Sequence, residues 1–471
     1  MKKILLILTL SLVSIVNSKE SPMAREIKKM KFKPLQWTVP TVGKDIEKLT
    51  LPSGTTVYLK ENHDLPLVEI TVYVKGGAAY LGHGEKLIPE LLVNSMVKGG
   101  TSSFKPEEII DSIEINAIRI DQRAEDEYIT YTFTFQTKYT PLALKIMDEI
   151  LFYPTFCEEE VEKEKAKIED NWERYIEDAN NLLNEATKKI VFSGNPLSTK
   201  PNLEKIKNIR GTHLKEIHGL FFQPKNMVIS VVGDFNGEAL KEQLKNVFSE
   251  DKNNAKELTL IKPGELAQRK VYFVQKNVPQ GYIYFVQDIP SGYFEEVYPL
   301  ILVGDILGGG FNSKIVSKVR NELGLAYDTY AYFSTLSNMK GVFYAFSATR
   351  SDALDQAIYH IEDAIKQMVE GNITQAELDF SKESFLSSTV TSIRSDWAFV
   401  QRLALRSLFG YPDDYFVRLR EHISNQNLND IKRVSSTYLK LDKMAIIVVG
   451  DSTQIDLKKL EKFGTIEILE Y

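Results

Sequence analysis

The chain repeats itself, and nothing else in it limits the possible folds so strongly. Asn226-Met227-Val228-Ile229-Ser230-Val231-Val232-Gly233-Asp234 returns as Lys443-Met444-Ala445-Ile446-Ile447-Val448-Val449-Gly450-Asp451, an offset of 217 residues (448 − 231). The helical pattern ahead of it keeps that register, with Leu214, Ile217 and Phe221 matched by Ile431, Val434 and Tyr438. Earlier in each half an apolar stretch runs into glycines, at Met96–Gly100 and again at Ile306–Gly310. A solenoid repeats every 20–50 residues or so; a period this long is a duplicated domain.

Within the first half the pattern alternates between strand and helix. Val57-Tyr58-Leu59, Val68–Val74 and Tyr128–Phe135 follow the period of two of a half-buried strand. Helical spacing covers about Glu85–Val97, Pro106–Ile113, Leu142–Leu151 and Glu158–Glu177, the first closed by Gly99-Gly100. Strands in groups with helices between them make each half α+β, a mixed or antiparallel sheet with helices packed on one face. The expected organisation is a targeting segment at 1–18, an extended lead-in at 19–45, a first domain at 46–250, a charged linker at 251–268 and a second domain at 269–471.

Residues 1–18 have the form of an export signal. Lys2 and Lys3 precede the mostly apolar Ile4–Val16, and Val16-Asn17-Ser18 supplies small residues for cleavage. Thirteen residues are too few to cross a bilayer as a helix, which needs about 20, and no later stretch is apolar enough. Cleavage after Ser18 would take away two lysines, leaving 56 basic against 64 acidic residues. With that balance and no basic run, nucleic-acid binding is not expected. An exported, periplasmic, non-membrane-spanning protein is. The single cysteine, Cys157, allows no internal disulfide. Glu158–Glu160 follow it in place of the basic partner a reactive thiol needs.

Elementary motif chemistry excludes more than it assigns. A helical zinc-hydrolase site needs two histidines about one turn apart with carboxylates, and the six histidines form neither HExxH nor HxxEH. His213 and His218 are five apart and point to different helix faces. No G-x-S-x-G is present. Gly308-Gly309-Gly310 lacks the ending of a phosphate loop and fits a helix end past which the chain runs tightly.

The duplicated halves, the two VVGD strands, the segment Gly77–Thr101 and the stretch Leu307–Tyr327 together resemble the M16 family of zinc metallopeptidases, which includes pitrilysin and the mitochondrial processing peptidase. The resemblance runs from about residue 46 to 460. It implies two homologous M16-type domains and places the family's HxxEH window on Glu90-Leu91-Leu92-Val93-Asn94. Both histidines are then replaced, by Glu90 and Asn94, and the general-base glutamate by Val93. The distal ligand falls on Asn171, leaving the family's 76 residues between it and Asn94 (171 − 94 − 1). A one-residue slip to Leu91–Ser95 restores no histidine. Valine cannot take a proton from water, so no zinc is expected on this chain and no peptide hydrolysis by it alone.

The second half matches the family's C-terminal motif, through Gly308–Lys314 and Val319–Tyr327. There an Arg and a Tyr seven apart, here Arg320 and Tyr327, face the zinc site across the chamber; they suit oxyanion stabilisation and main-chain binding. The competing structural assignment is a helix-surface arginine and a core tyrosine. Some bacterial members divide the work between two chains, one keeping HxxEH with its zinc and the other the Arg/Tyr pair. The resemblance therefore implies a heterodimer with an HxxEH-bearing partner, closing around an unfolded peptide. Gly76–Tyr80, with Gly77, Ala78 and Ala79 at its centre, is one candidate edge for strand addition by that peptide; a plain loop is the other. Two alternative functions stand beside this one: a structural or peptide-binding protein without catalysis, and an enzyme built on carboxylates such as Glu90, Glu164 and Glu169.

Overall fold

The duplication is visible strand by strand. The computed structural model describes residues 38–266 and 269–471; the export signal, the lead-in up to residue 37 and the last two linker positions lie outside them. The first sheet comprises β1 (Glu47–Thr50), β2 (Thr56–Glu61), β3 (Leu67–Lys75), β4 (Arg119–Ala124), β5 (Tyr128–Gln136) and β6 (Met227–Gly233), in the order β1-β2-β6-β3-β5-β4. The second comprises β7 (Val271–Gln275), β8 (Gln280–Ile289), β9 (Ala326–Ser334), β10 (Gly341–Arg350), β11 (Ala445–Gly450) and β12 (Ile466–Ile468), in the order β12-β7-β11-β8-β10-β9. The VVGD strands β6 and β11 are equivalent, each parallel to one neighbour and antiparallel to β3 or β8. Only the outer strand beside β2 or β7 differs: β1 is antiparallel and precedes its neighbour, whereas β12 is parallel and comes from the chain's last residues.

The helices used below are α1 (Ile88–Lys98), α2 (Thr140–Phe152), α3 (Glu158–Glu177), α4 (Ala179–Val191) and α5 (Gly211–Phe221) in the first half. In the second they are α6 (Val297–Gly308), α7 (Gln375–Ser392), α8 (Asp396–Leu408), α9 (Tyr415–Asn425) and α10 (Leu428–Tyr438). Helix α1 starts three residues later than its periodicity suggests. Pro89 has no N–H to donate and takes the first turn, while Glu85 folds back onto the Gly82 N–H (2.7 Å). The described end of the lead-in, expected to be extended, holds a tight turn in which the Asp45 carboxylate accepts from the Thr41 N–H and hydroxyl, each at 2.9 Å. Asn253–Leu266 contains neither helix nor strand.

Every residue of β6 and of β11 is buried, so both faces of each sheet are covered. One face carries helices of its own half: Val57, Ile70, Phe133 and Ile229 share a core with Ile146 and Ile150 of α2. The other face is covered by a helix from the opposite half. Helix α8 lies on the first sheet, where Gln401 donates to Glu69 (2.7 Å) and Thr71 (3.1 Å), and Asn62 donates to Asp396 (2.9 Å). Helix α4 lies on the second sheet, where Leu182, Leu183 and Ala186 join Tyr284, Val286, Ile447 and Val449. The two exchanged helices are 217 residues apart (396 − 179), so the exchange itself is duplicated. A buried carboxylate ties the halves further: Glu127 accepts from the Ser337 hydroxyl and from the Asn338 N–H (2.7 Å). Burial pushes its pKa up, against the opposing effect of those two donors.

Two predictions follow from this packing. Leu183 is fully buried on the exchanged helix, and Leu183→Ala should cost about 2–5 kcal/mol in urea unfolding, lowering the midpoint for both halves together. His218 on α5 donates Nε2–H to the Leu151 carbonyl (2.9 Å) and stacks on Phe222 at 4.9 Å. Burial lowers its pKa to about 4, more than the Leu151 bond raises it. The unfolded chain therefore takes up this proton first on acidification. Its contribution, about 3 kcal/mol, is complete above pH 6.5 and lost as pH falls toward 4. His218→Gln should flatten the urea midpoint across that window relative to the wild type.

Candidate functional site

Helix α1 presents two faces. Leu91, Leu92, Val93 and Met96 enter the core, and the Val93 carbonyl accepts from the Tyr131 hydroxyl at 3.0 Å. Glu90 and Asn94 are half-buried on the outer side. Glu90 lines a cleft of about 420 Å³ together with Asn171, Trp172 and Tyr175 of α3 and Asp126, Glu185 and Lys188 around them. Glu90 and Asn171, 81 positions apart (171 − 90), thus meet at one cleft. Val93 lies in the core, and Asn94 instead accepts from Gln122 Nε2 at 3.3 Å. Leu91 and Ser95, the ends of the slipped window, are both fully buried.

The electrostatics of this cleft do not suit a metal ion. Burial and the nearby Glu164 raise the Glu90 pKa, favouring its neutral form. Glu164 itself is buried; burial would raise its pKa, but hydrogen bonds from Lys167 (2.6 Å) and Lys98 (2.8 Å) outweigh this and hold it low. Glu169 pairs with Lys207 at 3.1 Å. The same cleft is lined by the buried pair Lys86–Glu185 and the pair Lys188–Asp126 (2.8 Å), so two more of its carboxylates already have lysine partners. Among the described residues no three His, Cys, Asp or Glu side chains gather at metal-ligand spacing. Glu90, Glu164 and Glu169 do not form a joint carboxylate site either, because the last two are taken up by lysines. The residues present therefore do not fit zinc.

Gly77, Ala78 and Ala79 do not form a sheet edge. Ala78–Tyr80 is a buried 3-10 turn, and the Ala79 N–H is already bonded to the Asp126 carbonyl at 2.9 Å. Gly77, at φ +109°, sits so close to the Glu125 carbonyl that a Cβ would come within 2.4 Å of it. The outer strands of the two sheets are β1, β4, β9 and β12.

Arg320 and Tyr327 sit in a different hollow, which shares no lining residue with the Glu90 cleft. Gly308 lets α6 end against β9; a Cβ there would lie 1.9 Å from the Ala331 nitrogen. After the glycines, Val316–Glu322 forms a π-helical turn carrying Arg320, a conformation frequent at functional sites. The β9–β10 register shifts between Ala348 and Thr349, opposite Asp328 and Ala326, and Tyr327 between those two is 81% exposed. The core-tyrosine assignment is thereby excluded. The Arg320 guanidinium lies 4.6 Å over the Tyr327 ring and 4.8 Å over that of Phe311, itself 65% exposed. Phe311 lies within the matched Gly308–Lys314 motif, which assigns it no role. Its signal was a large apolar residue set between glycines and Asn312 in a polar loop. Its carbonyl accepts from Asn321 Nδ2 (2.8 Å) and the Ser317 hydroxyl (3.1 Å), which hold the loop against the π turn.

Comparison with known proteins agrees with this architecture. Residues 56–201 match the model of the insulinase family, peptidase family M16, and residues 208–385 match that of the peptidase M16 inactive domain. A Bacillus subtilis protein described as the uncharacterized zinc protease YmxG is 25% identical over 356 residues, 74% of this chain and 85% of that one. The Helicobacter pylori protein described as the non-peptidase homolog YmxG is 22% identical over 84% of this chain and 91% of its own length. Among solved structures, a peptidase M16 inactive domain from Pseudomonas fluorescens superposes with a TM-score of 0.78 at 20% identity, covering 90% of this chain and all of the other. A Helicobacter pylori protease gives 0.74 at 20% identity, over 86% and 99%. With family models matching residues 56–201 and 208–385 and the fold shared over 90% of its length, the chain belongs to peptidase family M16.

Proposed function

We propose that this chain is the non-zinc-binding subunit of an exported, periplasmic two-chain M16 peptidase, forming half of the peptide chamber and supplying Arg320 and Tyr327 to the zinc site of an HxxEH-bearing partner. The observation that carries this reading is the pairing of two exposed aromatics, Tyr327 and Phe311, stacked on a half-buried Arg320, with a zinc-site position that does not suit zinc. An arginine stacked on two solvent-facing aromatics adds little to a core and is well presented to a ligand. Tyr327 O–H can donate to an oxygen that gains negative charge, and the Arg320 guanidinium can hold main-chain carbonyls or add to that stabilisation. The name of the Helicobacter pylori relative, a non-peptidase homolog, points the same way.

Peptide cleavage by this chain, by an HxxEH-bearing M16 partner and by their mixture tests the proposal. Activity should appear only in the mixture and disappear with a chelator. Arg320→Ala should lower kcat/KM by about 10²-fold, the scale of losing one oxyanion donor, with little change in stability. A mixture as active with Arg320→Ala and Tyr327→Ala as without them would refute the assigned roles. Metal analysis of the purified chain should give well under one zinc per molecule, and protein recovered from the periplasm should begin at Lys19.

A further inference from the structure

The duplication extends to the cleft itself. A second cleft of about 460 Å³ lies in the C-terminal half, between the start of α6, the end of β9 and helices α7, α8 and α9. Its walls repeat those of the Glu90 cleft at the same offset. Ile168, Asn171, Trp172, Tyr175 and Glu185 of the first become Phe385, Ser388, Thr389, Ser392 and Arg402 of the second, each pair 217 residues apart (402 − 185). What changes is the charge. The first cleft is lined by Glu90, Glu125, Asp126 and Glu185 against Lys86 and Lys188, a formal −2. The second has Arg402 and Arg406 and no acidic lining residue, a formal +2.

Neither arginine forms an ion pair among the described residues. Arg406 is held by aromatic faces, its guanidinium 4.7 Å over Phe416 and 5.1 Å over Tyr415, and its Nε is buried without a hydrogen-bond acceptor. Arg402 is solvent-exposed at the mouth, and partial burial together with the charge of Arg406 lowers its pKa. The two positive charges have no acidic partner among the lining residues, so an anion entering the cleft is attracted by both. The guanidinium fork matches a carboxylate bidentately. Hydroxyls of Ser388 and Thr389 line the same space, and Leu300, Ile301, Phe385 and Leu336 form its apolar side. The volume is that of a small-molecule site.

We propose that this second cleft binds an amphipathic carboxylate, its anionic head between Arg402 and Arg406 and its apolar body against the aromatic and aliphatic wall. Such a group is found at the C-terminus of a peptide ending in an apolar residue, or in a free apolar acid. The inference stands apart from the catalytic proposal, because it concerns binding by this chain alone.

Titration calorimetry on the full mature chain, with N-acetyl-Leu-Phe, its C-terminal amide and 4-phenylbutyrate as probes, tests it. The free peptide acid should bind, weakening as salt rises, and the amide at least ten-fold less tightly. Binding of 4-phenylbutyrate equal to that of the peptide acid would assign the cleft to free acids; clearly weaker binding would assign it to peptide termini. Arg402→Gln, at the mouth, should keep the native circular dichroism and weaken the peptide acid at least ten-fold, even if Arg406→Met fails to fold. Equal binding of acid and amide, no binding of either acid, or a folded Arg402→Gln that binds like the wild type would overturn the proposal.

Discussion

Two strands with every residue buried, β6 and β11, need cover on both faces of their sheets, and in each half the home helices cover only one. The reciprocal seating of α4 and α8 on the opposite sheets answers that need, and the rest of the structure depends on it. It joins the duplicated halves through their cores, which a surface contact would not do. It also carries Glu185 and Lys188 on α4, and Arg402 and Arg406 on α8, into the two clefts. The two seats differ in chemistry. Helix α8 adds to the burial of its own Val400 and Ala404 the hydrogen bonds of Gln401 to Glu69 and Thr71, whereas α4 lies over Tyr284, Val286 and Ile447 and is held by apolar burial.

Duplication followed by divergence of side chains explains how one backbone plan came to hold two unlike clefts. Helix α3 gives the first cleft an amide and two stacked aromatics, Trp172 and Tyr175 at 5.6 Å, and α7 gives the second a row of hydroxyls. The acid-to-base change from Glu185 to Arg402 alters the sign of the wall at a matched backbone position. The Arg320 hollow belongs to neither cleft. It is built by a glycine run, a π turn and a bulge, local departures from regular geometry that together place two aromatics in solvent with a half-buried arginine stacked on them.

Much of the element plan was legible because it is periodic. Tyr128–Gln136 and Glu158–Glu177 fall where alternation and helical spacing place them, and α1 differs only where Pro89 resets its first turn. The site was legible in part. Glu90 and Asn171 were found through family spacing and do share a cleft, but nothing in a linear motif distinguishes an outward Glu90 from an inward Val93 three residues on. Gly76–Ala79 left edge and loop open for a related reason: two glycines and two alanines suit a flexible edge and a tightly packed turn equally well, and the close approach of the Glu125 carbonyl to Gly77 decides between them.

By itself the sequence determined the duplication, the repeat of the VVGD strands, the lack of paired histidines and the seven-residue spacing of Arg320 and Tyr327. Each of these is a matter of local composition or of a repeat along the chain. Only the tertiary structure decided which helix covers which sheet, that Tyr327 faces solvent, that Glu185 and Asp126 of the Glu90 cleft are paired with lysines, and that Arg402 and Arg406 share a cleft without an acid. These depend on groups brought together from across the chain, where distance, burial and charge act between residues that the sequence keeps far apart.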